Sequence, residues 1–206
     1  MTIYVGDPNG LAKEVQRVHV GVNGVSTRVM KVYVGVNNVA RQVFQYTRAV
    51  ITIPKMTSNT TPEGTCSASS VASSNAAWEA FDGDDTTYWE SNVQGSDAKR
   101  YVTYDFGYAV IPFSIYIYNG TSHPNYPAWR FTVQVSNDGA NFTNIINCSA
   151  TSVNAETNRT FTQSDTEWVL TPSASGYRYY RYRATNVSGT YRARLKTMQI
   201  YGYIPE

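Results

Sequence analysis

The chain has 206 residues, of which 42% are hydrophobic and 16% charged. That apolar content is enough for a packed core and excludes a disordered chain. The net charge of +2 is unevenly split, because residues 1–50 carry six Lys/Arg against two acids and residues 51–206 carry eleven against thirteen. Neither part is basic enough for a general nucleic-acid binder, and no window approaches the roughly 18 apolar residues of a membrane span. We therefore expect neither nucleic acid nor a membrane as a partner.

A threefold repeat fills the first fifty residues. Its copies read "IYVGDPNGLAKEVQR", "VHVGVNGVSTRVMK" and "VYVGVNNVARQVFQ", with Gly6, Gly21 and Gly35 in register. In each copy an alternating strand-like run meets a turn sequence and then resumes, which predicts a β-hairpin. A unit of this length cannot bury a face alone. We expect residues 1–50 to be a hairpin-repeat attachment module that needs a partner, the alternative being an array that packs against the rest of its own chain.

The composition then turns to Thr, Pro, Ser and Asn, which predicts a linker over residues 51–60. Seventeen tyrosines and abundant Thr and Val favour strands in the remainder, residues 61–206. Turn residues separate the short strand-like runs at the spacing of an all-β sandwich. These runs are "RYVTYDFG", "FSIYIYNG", "RFTVQVSNDG", "WVLTP", "YRYYRYRATN" and "RLKTMQIYG".

Two sequence features bear on the compartment of the protein. Met1 is followed by neither the basic region nor the apolar region of a secretory signal, so we expect synthesis in the cytoplasm without a signal peptide. Cys66 and Cys148 have no nearby Cys or His with zinc-ligand spacing, which argues against a zinc site. Whether the two cysteines pair is left open, since the sequence does not give their separation in space.

An unusual cluster of acids occurs in "EAFDGDDTTYWES", residues 79–91, where Asp82, Asp84 and Asp85 lie within four positions. The cluster has three interpretations: a metal site, a reaction centre, or a structural corner in which Asp82 and Asp84 accept amide hydrogens and Trp89 fills the core. A glycosidase needs two carboxyls roughly 5 to 9.5 Å apart across a cleft, which adjacent acids in one turn do not give. No GxSxG or HExxH motif occurs either. We predict that the protein is not an enzyme.

Sugar binding fits the composition of the loops better than catalysis does. Aromatic faces stack on the C–H surfaces of sugars, and Arg, Asn and His hydrogen-bond to hydroxyls. The segment "NGTSHPNYPAWR", residues 119–130, lies between two predicted strands, and the loops around residues 91–100 and 186–194 add similar side chains. For Trp129, which begins a strand, a core position is the alternative. The predicted ligand-binding residues are His123, Asn125, Tyr126, Trp129, Arg130, Tyr191, Arg192 and Asn92.

Five segments in the same order resemble the motifs of the discoidin, or coagulation factor 5/8 type C, domains. They are "AFDGDDTTYW", "YVTYDFG", "FTVQVSNDGANF", "YRYYRYRATN" and "MQIYGY", and the resemblance covers about residues 57–203. It implies a galactose-binding-like jelly roll, the fold shared with family 32 carbohydrate-binding modules. The hairpin repeats at residues 3–45 resemble those of minor structural proteins of bacteriophages that infect Gram-positive hosts.

The resemblance also implies a cation at the acidic cluster, held by Asp82, Asp84 and Thr87. Hard oxygen ligands suit calcium, which takes six to eight of them. The family often completes this site with a Glu near the last strand, where this chain has Thr197. The loss of a carboxylate lowers the charge of the site and with it the expected affinity for calcium.

Together the two resemblances predict a virion accessory protein, a capsid decoration or a tail or baseplate component. Residues 1–50 would dock onto other virion proteins, and the larger domain would display a glycan-binding face to the host surface or its surroundings. We also expect a homo-oligomer located in the virion. The alternative is a structural decoration or protein–protein interaction module without a sugar ligand.

Overall fold

A computed structural model describes residues 48–92, 100–119, 130–149, 158–185 and 192–205, together with the backbone of six strands before residue 46. The chain divides into two compact units, Met1–Ala49 and Val50–Glu206. Among the described residues, no helix has the length and apolarity needed to cross a membrane.

The first unit consists of three antiparallel strand pairs, one for each copy of the repeat. Val22 pairs with Val25 and Val36 with Val39, on either side of the Asn-containing dipeptides in the sequence. The predicted hairpins are therefore present. The strands are β1 (Tyr4–Gly6), β2 (Ala12–Glu14), β3 (His19–Val22), β4 (Val25–Arg28), β5 (Lys31–Val36) and β6 (Val39–Gln45).

The second unit is a β-sandwich with one short 3-10 helix at Ala77–Ala80. Eight of its strands form a continuous hydrogen-bonded sheet that folds into two layers, and the remaining two form a separate pair. Its strands are β7 (Ile51–Thr52), β8 (Thr65–Ala68), β9 (Trp89–Glu90), β10 (Tyr101–Tyr118), β11 (Arg130–Ser136), β12 (Thr143–Ser149), β13 (Asn158–Thr162), β14 (Tyr177–Thr185), β15 (Arg194–Leu195) and β16 (Thr197–Tyr203).

Strand β10 belongs to both layers. Its first half, Tyr101–Asp105, lies in the front sheet, whose order is β12-β11-β14-β10-β8. Its second half, Ser114–Tyr118, lies in the back sheet, whose order is β13-β10-β16-β7. Gly107 has φ +76° and donates its amide to Asp105 Oδ1 at 2.7 Å, and the pairing register shifts after Asp105. The sequence predicted two strands here, whereas the structure bends one strand between two sheets.

The core lies between the two layers and follows the alternation of the strands. Along β14, Tyr180 and Tyr182 are fully buried while Arg181 and Arg183 are half buried, as expected for a strand with one wet face. Ile115 and Ile117 of β10 face the core from the back sheet. Aromatic residues fill much of the space between the layers, where several pairs of rings lie in contact and Phe131 meets Phe161 of the opposite layer. These pairs include Tyr104–Phe106, Phe131–Tyr182 and Phe131–Phe161.

The linker expected at residues 51–60 is wrong at least as far as Met56. β7 pairs with β16, so that Thr52 lies opposite Tyr201 and Ile51 opposite Gly202. Ile53 and Met56 are almost completely buried in the core. Although the segment is rich in Thr and Pro, its apolar side chains Ile53 and Met56 pack into the core of the sandwich.

The two cysteines are buried and are not joined in a disulfide. Cys66 lies on β8 and Cys148 on β12, which are the two outer strands of the front sheet with three strands between them. Neighbouring strands lie about 4.8 Å apart, which places these positions well beyond the reach of a disulfide. The sequence left open whether Cys66 and Cys148 pair, and the strand order shows that they do not.

Candidate functional site

The acidic cluster forms a tight corner after the 3-10 helix, which we call the acidic corner (residues 82–87). Asp82 Oδ1 accepts the amide of Asp84 at 2.9 Å, and Asp84 Oδ1 accepts the amide of Thr86 at 2.8 Å. Gly83 between them has φ +66°, a conformation that L side chains rarely adopt. Trp89 is fully buried and donates its indole N–H to the carbonyl of Ser70 at 3.0 Å. These contacts are those of the structural corner that was one of the three interpretations.

The same corner brings oxygen atoms together in a way that a cation could use. Thr87 Oγ1 lies 2.6 Å from Asp82 Oδ2 and 2.9 Å from the carbonyl oxygen of Asp84. A hydroxyl has one proton and can donate it to only one of these two acceptors. The other contact then brings two oxygens close without a hydrogen between them, and oxygens around a bound calcium ion lie at such separations. The three predicted ligands therefore lie close together, with Asp84 contributing its backbone carbonyl oxygen.

The pKa values of Asp82 and Asp84 at the acidic corner are shifted in opposite directions. Burial raises the pKa of Asp82, while hydrogen bonds from Thr87 and from the Asp84 amide act against that rise. Hydrogen bonds from the side chain and amide of Thr86 lower the pKa of Asp84. A cation beside Asp82 would favour its ionised form and so offset the effect of burial.

Thr197, the position at which the family often has Glu, does lie at this corner. Its hydroxyl donates to Asp85 Oδ1 at 2.7 Å. Thr197 is buried at the start of β16, and its contact with Asp85 closes the corner against the back sheet. In the part of the chain that the structure describes, no group of three Asp, Glu, His or Cys side chains is placed to hold a metal ion. The oxygen atoms that lie together at this corner are Asp82 Oδ2, Thr87 Oγ1 and the carbonyl oxygen of Asp84.

One end of the sandwich gathers the residues that flank the predicted sugar-binding loops, and we call it the loop end. The Ala184 amide donates to the Arg100 carbonyl at 3.0 Å, and Arg130 pairs with Thr185. Asn119 is buried and its side chain lies close to that of Tyr182, in the strand that pairs with the start of β10. The residues on either side of three separate loops therefore meet at one place. They are Asn92 and Arg100, Asn119 and Arg130, and Thr185 and Arg192.

Asn92 and Arg192 are neighbours at the loop end. β9 and β15 pair antiparallel with Glu90 opposite Arg194, and beyond them the Ser91 amide donates to the Ala193 carbonyl at 2.9 Å. Asn92 is exposed, and its backbone N–H donates to Ser70 Oγ at 3.0 Å. Arg130 is exposed at the start of β11. The other predicted ligand residues, His123, Asn125, Tyr126, Trp129 and Tyr191, lie outside the described residues.

The sequence analysis missed Glu90, which organises the loop end. Its side chain is only 4% exposed and accepts a hydrogen bond from Arg192 Nη1 at 2.8 Å and another from Arg194 Nε. Arg194 Cζ also lies 4.5 Å from the centroid of the Tyr88 ring. Arg192, predicted as a ligand-binding residue, is thus held by a buried carboxylate. No local signal could reveal the partner, because Glu90 and Arg192 are 102 positions apart.

Comparisons with known proteins bear on the fold. The chain resembles a family 32 carbohydrate-binding module from Clostridium perfringens NanJ, in complex with galactose, with a TM-score of 0.53 and 22% identity over 74% of this chain and 99% of that one. A family 89 glycoside hydrolase from Clostridium perfringens, in complex with 2-acetamido-1,2-dideoxynojirmycin, has a TM-score of 0.53 and 22% identity. That match covers 71% of this chain but spans only 15% of the hydrolase. Comparison with curated proteins gives no match.

These matches confirm the all-β, galactose-binding-like jelly roll that the resemblance implied. At such identities they show the fold and not the ligand. The module matched over nearly its full length is a binding module, whereas the hydrolase is matched over a small part of its chain. The model of the F5/8 type C domain family matches residues 65–196, which is more than half of the protein. The chain belongs to the F5/8 type C domain family.

Proposed function

We propose that residues 50–206 are a glycan-binding module whose ligand site is the loop end. The observation that carries this proposal is the convergence of three loop-flanking segments, with Asn92 beside Arg192 and Arg192 held by Glu90. A held guanidinium loses little conformational freedom when it donates to a sugar hydroxyl, which favours binding. The arrangement performs no reaction in this proposal. It selects a ligand by shape and by hydrogen bonds to hydroxyl groups.

A glycan array tests the proposal, with galactose-terminated glycans as the first probes because the NanJ module is in complex with galactose. Hits are then measured by calorimetry with Arg192→Ala combined with His123→Ala. We expect at least tenfold weaker binding by the double variant. The matched control is Arg178→Ala, since Arg178 is also paired with a carboxylate, that of Asp105, but lies at the opposite end of β14 from Thr185. Equal losses in the two variants would contradict the assignment of the site.

A role in the virion is our proposal for the biological setting. It is supported by the threefold hairpin repeat and its resemblance to phage structural proteins, and by the excess of four positive charges in residues 1–50, which suits docking onto an acidic protein surface. Residues 1–50 would bind other virion proteins, in a homo-oligomeric assembly. Expression of the full chain and of residues 50–206 with purified particles tests this: only the full chain should sediment with them.

The structural-decoration alternative is favoured by one observation, the Glu90 ion pairs. A buried carboxylate that engages two arginines is also what a purely structural loop support would use. In that case the array gives no hit, while the full chain still joins particles. The two readouts therefore separate a failed glycan assignment from a failed virion assignment.

We also propose that the acidic corner binds calcium through Asp82, Asp84 and Thr87. Saturating metal stabilises a protein by mass action, by roughly 2.7 kcal/mol at a hundredfold excess over the dissociation constant. Thermal melts with calcium, with a chelator and with Asp82→Asn measure this directly. Asp138→Asn is the control, because Asp138 forms a similar Asx turn that accepts the amides of Ala140 and Asn141 at 2.9 and 2.8 Å. Identical melts of the wild-type protein with and without calcium would leave the structural corner alone.

A further inference from the structure

The outer face of the front sheet carries an arginine, Arg181, that has no carboxylate partner among the described residues. Arg181 lies in the middle of this sheet, with Thr103 of β10 on one side and Gln134 of β11 on the other. Its Nε donates to Thr103 Oγ1 at 3.0 Å. No carboxylate in the described part of the chain forms an ion pair with Arg181.

Two aromatic rings fix the guanidinium of Arg181. Its Cζ lies 3.4 Å from the centroid of the Phe142 ring and 3.9 Å from that of Tyr101. These two ring contacts, together with the Nε bond to Thr103, hold the guanidinium in place. Within the described residues neither Nη1 nor Nη2 donates a hydrogen bond, so both remain available to a ligand.

The surroundings of this guanidinium are electropositive. Burial lowers the pKa of Arg181, and the nearby charge of Arg183 lowers it further, although an arginine remains ionised at neutral pH. Asp105 is the single carboxylate on the described strands of the front sheet. It is engaged by Arg178, whose Nε and Nη2 donate to it at 2.7 and 2.8 Å. On the described strands of this sheet, therefore, no carboxylate is left unpaired to offset Arg181.

Polar side chains extend from this arginine across the two neighbouring strands. Gln134 Nε2 donates to Asn144 Oδ1 at 2.8 Å, and Asn144 Nδ2 donates to Asn147 Oδ1 at 2.9 Å. Thr132, opposite Asn147, has a buried hydroxyl without a hydrogen-bond partner among the described residues. Gln134 is itself buried, whereas Asn144 is partly exposed and Asn147 exposed, so the outer two amides offer donors and acceptors of the kind that bind sugar hydroxyls.

We propose that this face is a second binding site, separate from the loop end, that takes the carboxylate of an acidic saccharide such as a uronic acid polymer. Nη1 and Nη2 of Arg181 make the paired contact with the carboxylate, while the outer two amides contact the hydroxyls of the same chain. The guanidinium is already fixed by Tyr101, Phe142 and Thr103, so little side-chain entropy is lost on binding. This site does not depend on the loop end, and either can fail without the other.

Affinity electrophoresis of the full chain tests the proposal, with polygalacturonate in the gel and neutral galactan as the matched polymer without carboxylates. We expect polygalacturonate to retard the protein at low salt, and Arg181→Gln to weaken this binding at least tenfold. Arg181→Lys should bind with intermediate strength, because it keeps the charge but not the fork. The control is Arg159→Gln, which removes the same charge from an arginine that also lies over a ring, that of Phe161, but is paired with Asp165 and Glu167.

Several results would overturn the proposal. Equal weakening by Arg181→Gln and Arg159→Gln would mean that net charge alone attracts the polymer, and absence of retardation at low salt would remove the site. Retardation by dextran sulfate but not by polygalacturonate would refute the carboxylate assignment. If Arg181→Gln does not fold, Thr103→Val decides, since it releases Nε without changing the charge: weaker binding supports the site, and unchanged binding overturns it.

Discussion

Deletion of residues 50–56 should strongly destabilise the sandwich, although these residues have the composition of a linker. The deletion removes Ile53 and Met56, which are 2% and 1% exposed. Burial of such side chains stabilises by about 1.5 to 3 kcal/mol each. It also removes β7 and the two bonds with the Gln199 side chain, which accepts the Ile53 amide at 2.7 Å and donates to the Ile53 carbonyl at 2.8 Å. Each such bond contributes about 1 kcal/mol.

The total loss is about 5 kcal/mol or more, against the 5 to 15 kcal/mol by which domains are usually stable. For a domain of this size it should lower the melting temperature by about 10 °C or more. Calorimetry of residues 50–206 and 57–206 measures the difference. Val50→Ser in the longer fragment is the control, because Val50 is exposed and the change should cost less than about 0.5 kcal/mol. Melting of the two fragments within about 3 °C of each other would refute this reasoning.

Three further predictions concern the sandwich. Gly64→Ala should lower the free energy of unfolding by about 2 to 4 kcal/mol in thermal melts, since a Cβ there would lie 2.3 Å from the Tyr104 hydroxyl. Gly107 has a similar φ but open space around it, so Gly107→Ala should cost only about 1 kcal/mol. Hydrogen bonds from the backbone amide and side chain of Asn141 lower the pKa of Asp138. The ionised carboxylate therefore stabilises the fold above about pH 4, and this contribution is lost as the pH falls. Asp138→Asn should flatten this acid dependence in melts recorded from about pH 6 to 2. Glu90→Gln should lower the free energy of unfolding by about 2 to 3 kcal/mol in denaturant titrations and weaken glycan binding, because it removes the buried carboxylate that Arg192 and Arg194 share. An unchanged midpoint would contradict the proposed support of the loop end.

Local patterns predicted much of the fold. The alternation of Tyr180 and Tyr182 with Arg181 and Arg183 indicated which side of β14 faces the core, because side chains on a strand point to opposite faces in turn. The ordered motifs identified the family that the matches then confirmed. Such signals survive in a single sequence because each lies within a few neighbouring residues.

The features that the sequence did not predict depend on residues far apart in the chain. The burial of Ile53 depends on Gln199, 146 positions away, and the orientation of Arg192 depends on Glu90. Gly107 was interpreted as the end of a strand, whereas the chain continues through it as a bend. "WVLTP" was predicted as a strand, but Trp168 makes only a single bridge with Ile146. A periodic pattern shows that a residue is buried or turned, but not which partner it meets.

The pairing of β7 with β16 has a mechanical consequence. The chain enters the sandwich at Ile51 beside Gly202, close to where it leaves. A force that pulls these two ends apart acts across the strand pair and breaks its hydrogen bonds one after another, rather than all at once. A force applied between a ligand at the loop end and Ile51 acts instead along the strands and loads many bonds together. We therefore expect the domain to resist the second direction of pulling more strongly than the first, which single-molecule force spectroscopy with two attachment geometries can measure.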